Sequence, residues 1–288
     1  MGSLRRVSDL HIHIQPWEML RPEVALAMRA GRRDLDRIEA CVRDAGALVR
    51  LLDEEGIDRA ALINYVSPDL MGFTDTVNAW VADYCRPHRD RLIAVGSVHP
   101  RFSQDPGGDA ERLFDDGIRM VKLHPPHQLV HANDYRDGGP WPGLAAIYGA
   151  AEARGVPIMV HTGTSIFPGA RNKYGHPLEV DDVAVDFPRL PLVLAHAGRP
   201  LWMEEAFFLA RRHPNVHLDL SGIPPARLLE YLPRLETVAS KALWGTDWPA
   251  PGVPGMGANV AAFRDLPLAA AVQEAILWGN AERLLPRG

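Results

Sequence analysis

The stretch VSDLHIH, residues 7–13, decides how the chain is read. It is a short apolar run of strand length that ends in two histidines. Successive side chains of a strand alternate in direction, so His11 and His13 point the same way and form a pair aimed at one place. Three later runs repeat the pattern of an apolar segment closing on a polar group. PIMVHTG ends at His161, LVLAHAG at His196 and ALWGTDWP at Asp247. If these runs are parallel strands, all five side chains reach the same rim of the fold. Nitrogen and carboxylate donors converging from separate strand ends are what a divalent metal such as zinc requires.

The spacing of the runs predicts how many strands there are. Strands are expected at residues 7–13, 58–64, 91–98, 118–123, 156–161, 190–196, 215–220 and 242–247. They are rich in Val, Ile and Leu and do not strictly alternate, as expected for strands buried on both faces. Amphipathic segments such as ALVRLLDEEGI (47–57), DAERLFDDGI (109–118), GLAAIYGAAEARGV (143–156) and MEEAFFLARRHP (203–214) lie between them. Several end in Gly or Pro, which stop helices. Eight alternations of strand and helix predict one closed α/β domain, a (β/α)8 TIM barrel, over residues 1–288. The competing fold, an open doubly wound sheet, lacks its signature, since no G-x-G-x-x-G follows the first strand. Residues 14–44 and 162–180 are long connections leaving from the C-terminal strand ends, where they are expected to wall the active site.

Bulk composition narrows the function. The 288 residues suit one such barrel, and 47% of them are apolar, enough for a large core. A net charge of −5 without a basic stripe argues against nucleic acid as a partner. No run of about 18 apolar residues predicts a membrane span, and the opening MGSLRRVSDLHIH shows no export signal. Cys41 and Cys85 are the only cysteines, which suits a reducing cytoplasm. The expected partner is a small-molecule substrate, with homodimer formation allowed. Among the twelve histidines, His88, His176 and His213 read as solvated.

Each candidate has a plain structural alternative. Without a metal, His11 and His13 would be core imidazoles with costly unpaired polar atoms. Asp247 either caps the turn before Pro249 or binds the metal. A metal lowers the pKa of a water it binds toward about 7, and Asp247 would then take the proton. His11, His13, His161 and Asp247 make four ligands, the number one zinc ion needs. His196 is then free as an acid-base group; its alternative is a helix contact within HAGRP. Lys122, in MVKLHP, would be informative if it pointed inward, because lysine is seldom buried. It can be carboxylated and bridge two metals, hold an anion, or simply snorkel beside a carboxylate. His124 shares its face. Arg171, Lys173 and Tyr174 in FPGARNKYG are candidates for binding a substrate anion, or for a solvated loop. Gln15, Trp17 and Trp248 are candidates for the pocket wall, or for core.

Taken together, DLHIH, VKLHP, PIMVHTG, LVLAHAG, GTDWP and the closing ILWGNAERLL resemble the amidohydrolase superfamily. The resemblance is to the amidohydrolase-related branch that contains aminocarboxymuconate-semialdehyde decarboxylase and the resorcylate-type decarboxylases. The motifs recur in order across nearly the whole chain. The resemblance implies a metal-dependent (β/α)8 barrel with His11, His13, His161 and Asp247 as metal ligands and His196 as the catalytic histidine. It places Lys122 where other branches carboxylate a lysine for a second metal. The implied cofactor is a divalent ion, zinc first and manganese next, with one ion expected and two if Lys122 is carboxylated. The implied function is a metal-dependent hydrolase acting on a small anionic, cyclic or unsaturated carboxylate. Non-oxidative decarboxylation of such a carboxylate is the alternative. An inactive metal-binding barrel is a third reading, against which the intact ligand set weighs.

Overall fold

The computed structural model describes residues 6–287. Residues 1–5 and 288, and with them part of the opening read above for an export signal, lie outside the described residues. Eight parallel strands follow one another in chain order: β1 (Ser8–Ile12), β2 (Arg59–Ile63), β3 (Leu92–Gly96), β4 (Met120–Leu123), β5 (Ile158–His161), β6 (Leu192–Ala195), β7 (Val216–Asp219) and β8 (Ala242–Leu243). All but β7 are buried at every position, and β7 departs only at His217. Near-continuous apolar strands are expected when side chains fill the barrel on one face and helices cover the other.

The sheet closes on itself. Leu10 N donates to Trp244 O at 2.9 Å, Asp247 N to His11 O at 2.8 Å and His13 N to Trp248 O at 2.7 Å. These bonds carry the pairing of β1 with the eighth segment well past the end of β8. The eighth strand was expected over 242–247 and spans only Ala242–Leu243. The reason is in its hydrogen bonds: the Trp244 amide turns to Ile276 O at 3.2 Å, and Asp247 adopts φ +69°. Asp247 therefore leaves from a left-handed turn four residues beyond the strand. The other seven strands fall inside their expected ranges, shorter by one or two residues at an end.

The helices form for local reasons as well. Ala45–Glu54 is capped by the Asp44 carboxylate, which accepts from Gly46 N and Ala47 N, and it buries Leu48, Leu51 and Leu52 on one face. Pro106–Asp115 is capped in the same way by Asp105, with Pro106 in its first turn. Of the two long connections, residues 14–44 hold the helices Pro22–Arg29 and Leu35–Arg43. The Arg32 guanidinium ties this segment to the Pro249 carbonyl, just beyond Asp247. No helix among the described residues is long and apolar enough to cross a membrane.

Register sets the chemistry. The pairings Lys122↔Met159, Met159↔Val193 and Val193↔His217 put those residues on one face of the sheet. Two residues further along, His161 and Asp219 share that inward face. Gly245 lies between β7 and β1: a Cβ there would sit 2.5 Å from Asp219 Oδ1 and 2.7 Å from His11 Cβ. Gly245→Ala should therefore force these elements apart and cost about 1–3 kcal/mol. Equilibrium urea unfolding tests this, and an unchanged midpoint would show that the barrel yields there freely.

Candidate active site

His11 and Asp219 anchor the site. Asp219 Oδ2 lies 2.6 Å from His11 Nδ1, with both side chains fully buried. A carboxylate only accepts, so His11 Nδ1 carries the proton and its Nε2 presents a lone pair. That Nε2 is 3.3 Å from His13 Nε2 and 3.6 Å from Asp247 Oδ1, while His13 Nε2 is 3.2 Å from the same oxygen. Three donors from the two closing segments thus meet at one point. Ser221 completes the support. Its Oγ donates to Asp219 Oδ2 at 2.5 Å, and its carbonyl accepts from His196 Nδ1 at 3.1 Å. His196 is thereby oriented with Nε2 free. The group His11, His196 and Asp219 is equally compact. His11 and Asp219 are hydrogen-bonded directly and His196 joins them through Ser221, so the group orients ligands rather than holding an ion.

His161 is outside the tight group of three. Its ring stacks on His124 with centroids 3.9 Å apart and meets His196 edge-on at 4.7 Å. His161 Nε2 is buried with no hydrogen-bond partner, as are His124 Nδ1 and Lys122 Nζ. An unpaired buried nitrogen is costly; a metal ion would satisfy the lone pair of the His161 imidazole, whereas the Lys122 amine, a donor, calls for an acceptor. The donor chemistry also fits, because the imidazoles are neutral. Burial, reinforced by the Lys122 charge, lowers His11 to about 4 against the pull of Asp219. Burial likewise holds His124, His161 and His196 well below the usual histidine range. Metal ligation requires neutral imidazole and ionised carboxylate. Burial on its own would raise the Asp247 carboxyl; the His13 hydrogen bond and the Arg199 guanidinium oppose it, and the carboxyl is held below the ordinary value.

These groups open into a cavity of about 580 Å³. Lys122 lines it and is lowered to about 8 by burial, offset in part by Asp219 and Asp247. His124 and Gln15 line it too, and Gln15 Nε2 donates to Ile63 O at 3.2 Å. The backbone is strained at two site residues: His196 has φ +62° and Asp247 φ +69°. Such conformations in residues with side chains are held only by surrounding structure, and they collect at functional sites.

Other expected residues fall elsewhere. Arg171, Lys173 and Tyr174 were expected at the substrate wall and do not line the cavity. The turn Asn172–Gly175 is pinned outward by Arg171 N on Pro126 O and Gly163 N on Gly175 O. Arg171 and Lys173 are consequently exposed, and Tyr174 packs on His131. Trp17 and Trp248 are buried but not part of the cavity wall; Trp17 stacks under Arg29. His213 was expected in solvent and is buried, with Nε2 2.6 Å from Asp181.

The cavity's arginine is Arg199. One of its terminal nitrogens is 3.2 Å from Asp247 Oδ2, and its Nε is buried without a partner. Gly222, at φ +66°, makes room: a Cβ there would lie 2.4 Å from the guanidinium. Asp9 also has a role that strand reading misses. It accepts from Thr246 N at 3.0 Å and Thr246 Oγ1 at 2.6 Å, pinning the Asp247 turn to β1. The signal for Asp219 is present in VHLDLSG, a carboxylate ending an apolar run like the others. Arg199, by contrast, follows a 3-10 turn and has no strand-end signal.

Comparison with known proteins agrees with this architecture. The amidohydrolase family profile matches residues 8–287. L-fucono-1,5-lactonase of Burkholderia ambifaria is 36% identical over 86 residues, which is 24% of this chain and 30% of that protein. The matched stretch thus spans less than a third of the lactonase. Among solved structures, a TIM-barrel protein of Bordetella bronchiseptica is similar at 23% identity, TM-score 0.74, over 98% of this chain and 99% of that one. A 5-carboxyvanillate decarboxylase of Novosphingobium aromaticivorans, complexed with manganese and 4-hydroxy-3-methoxy-5-nitrobenzoic acid, is similar at 16% identity, TM-score 0.66, covering 99% and 96%. A 2,6-dihydroxybenzoate decarboxylase of Rhizobium is similar at 19% identity, TM-score 0.67, covering 97% and 98%.

Asp219→Asn keeps the side-chain shape and removes the charge that holds His11. Affinity for zinc, measured by competition with a chelator, should fall about 10–100-fold with the fold intact. An unchanged affinity would mean that His11 needs no such support.

Proposed function

The chain belongs to the amidohydrolase family, and on that premise we propose that it is a metal-dependent hydrolase opening an ester bond, foremost a lactone, in a small carboxylate. The observation that carries the reading is the meeting of His11, His13 and Asp247 on the cavity floor, with Arg199 on the second oxygen of Asp247. His11 Nε2, His13 Nε2, His161 Nε2 and Asp247 Oδ1 would hold one divalent ion, zinc first and manganese second. When bound, such an ion supplies Lewis acidity toward a carbonyl oxygen and acidifies water.

The chain's own residues do the rest. Arg199, which lines the cavity, anchors the substrate carboxylate through its guanidinium charge. Asp247, ionised in this environment, takes a proton from the attacking water. The water oxygen bonds to the carbonyl carbon, the ester C–O bond breaks, and the departing alcohol oxygen receives the proton. His196, held by Ser221 with Nε2 free, donates to or accepts from the reacting oxygen as the charge moves. The partial likeness to a lactonase supports hydrolysis. A second reading is non-oxidative decarboxylation of a similar carboxylate, supported by the reactions named for two solved structures of the same fold. The partner is a small molecule, and two unpaired buried cysteines suit the cytoplasm.

Three experiments test the proposal. Metal analysis of His11→Ala and Asp247→Ala should show loss of the ion; full occupancy in both would remove the centre. Turnover of candidate lactone acids in ¹⁸O-water should place one labelled oxygen in the product, whereas carbon dioxide release without label would replace hydrolysis by decarboxylation. His196→Asn should retain metal and lose about 10²–10⁴ in turnover. Normal activity in that variant would take His196 out of the mechanism.

A further inference from the structure

A hydrogen-bonded chain that the reaction above does not use lines the same cavity. Tyr65, just beyond β2, places its hydroxyl 2.9 Å from His127 Nδ1. His127, in the turn Pro125–Gln128 after β4, places Nε2 2.7 Å from Ser165 Oγ. Ser165 follows β5, is half-buried and lines the cavity with Tyr65 and His127. Three separate βα connections thus converge on one serine hydroxyl.

The direction of this chain follows from counting donors. The Tyr65 hydroxyl is buried, and His127 Nδ1 is its partner among the described residues. If Tyr65 accepted there, its proton would be buried and unpaired, at the cost of an unmade hydrogen bond. Tyr65 therefore donates to Nδ1. A neutral imidazole then carries its proton on Nε2 and donates to Ser165 Oγ. Burial, reinforced by the Lys122 charge, lowers His127 to about 3 and so keeps it neutral. Ser165 Oγ also accepts from Phe167 N at 3.3 Å. Both lone pairs of the hydroxyl are used, so its hydrogen is left for the cavity. This tautomer also excludes a serine nucleophile: His127 Nε2 already bears a proton and cannot take that of Ser165.

We infer that Ser165 is a specificity-determining donor that recognises an acceptor oxygen on the substrate, with His127 and Tyr65 as residues that position its proton. The inference rests on the carboxylate reading above and narrows it. The substrate class becomes a small ring carboxylate that bears a hydroxyl or keto oxygen, with its carboxylate on Arg199 and that oxygen on Ser165. Apolar walls from Met28, Met71, Pro224 and Pro251 suit a flat ring between them.

The test is binding of benzoate, 3-hydroxybenzoate and 4-hydroxybenzoate to the zinc-loaded protein by calorimetry. At least one hydroxybenzoate should bind about three- to tenfold tighter than benzoate, the value of one neutral hydrogen bond. Ser165→Ala should abolish that preference and leave benzoate affinity unchanged. Ser165→Thr should restore it by returning the hydroxyl. Tyr65→Phe keeps the ring but frees His127 Nδ1, so the preference should fall, and the ¹⁵N signals of His127 should show its proton shared between the two nitrogens. Equal binding of all three ligands by the unaltered protein, or a preference that survives Ser165→Ala, would overturn the assignment. Arg199→Met separates the two proposals, because it should weaken all three ligands alike. If it weakened none, the carboxylate anchor would fail while the hydroxyl preference still reported on Ser165.

Discussion

The 2.6 Å hydrogen bond between Asp219 and His11 joins β7 to β1 across the inside of the barrel. It fixes which imidazole nitrogen carries a proton, and so which faces the cavity. Ser221, hydrogen-bonded to the same carboxylate, passes the constraint on to His196. Asp9 performs the matching task one strand-step below, tying the Asp247 turn to β1 through Thr246. Burial raises Asp9 to about 7 despite those hydrogen bonds, so the barrel floor holds carboxyl groups of two characters: one near neutrality and one that is ionised. Side chains that do no chemistry themselves thus set the orientation of those that do.

Much of this was legible in the sequence. Strand periodicity is short-range, and a barrel strand buried on both faces reads as an apolar run, so eight such runs separated by helical segments point to the closed fold. His11, His13 and His161 were legible because strand ends fix direction. Asp247 was found by the same rule for a partly different reason: it sits on a left-handed turn after a two-residue strand, carried into place by pairing of the chain's two ends. Arg199 and the outward turn of Arg171 were not legible. Arg199 reaches the cavity only because Gly222 leaves space for it, and Arg171 faces outward because two backbone bonds hold its turn away. Those are contacts between segments far apart in sequence, and no local pattern encodes them. His127 belongs to the same class, since its partners come from two other connections.

Strain is distributed in a telling way. Leu129, Asp137, His196, Ala197 and Asp247 are the described non-glycine residues with positive φ, and two of them are in the site. A rigid barrel can hold such conformations because its packing leaves few alternatives. His196 is held by Ser221, and Asp247 by the His11 carbonyl and the Asp9–Thr246 bonds beside it.

Closure of β8 on β1 also has a consequence in time. His11 and Asp219 are separated by 208 positions, and Asp247 lies further still. During synthesis, the early histidines leave the ribosome long before the carboxylates that orient and complete them. Contacts of such separation carry a large loop-closure entropy and form late. The group of His11, His13 and Asp247 therefore cannot assemble before the eighth segment is made, and capture of an ion would coincide with the sealing of the barrel. An ion held there would act as a clasp on the last step of folding, slowing reopening of the seam between the first strand and the last.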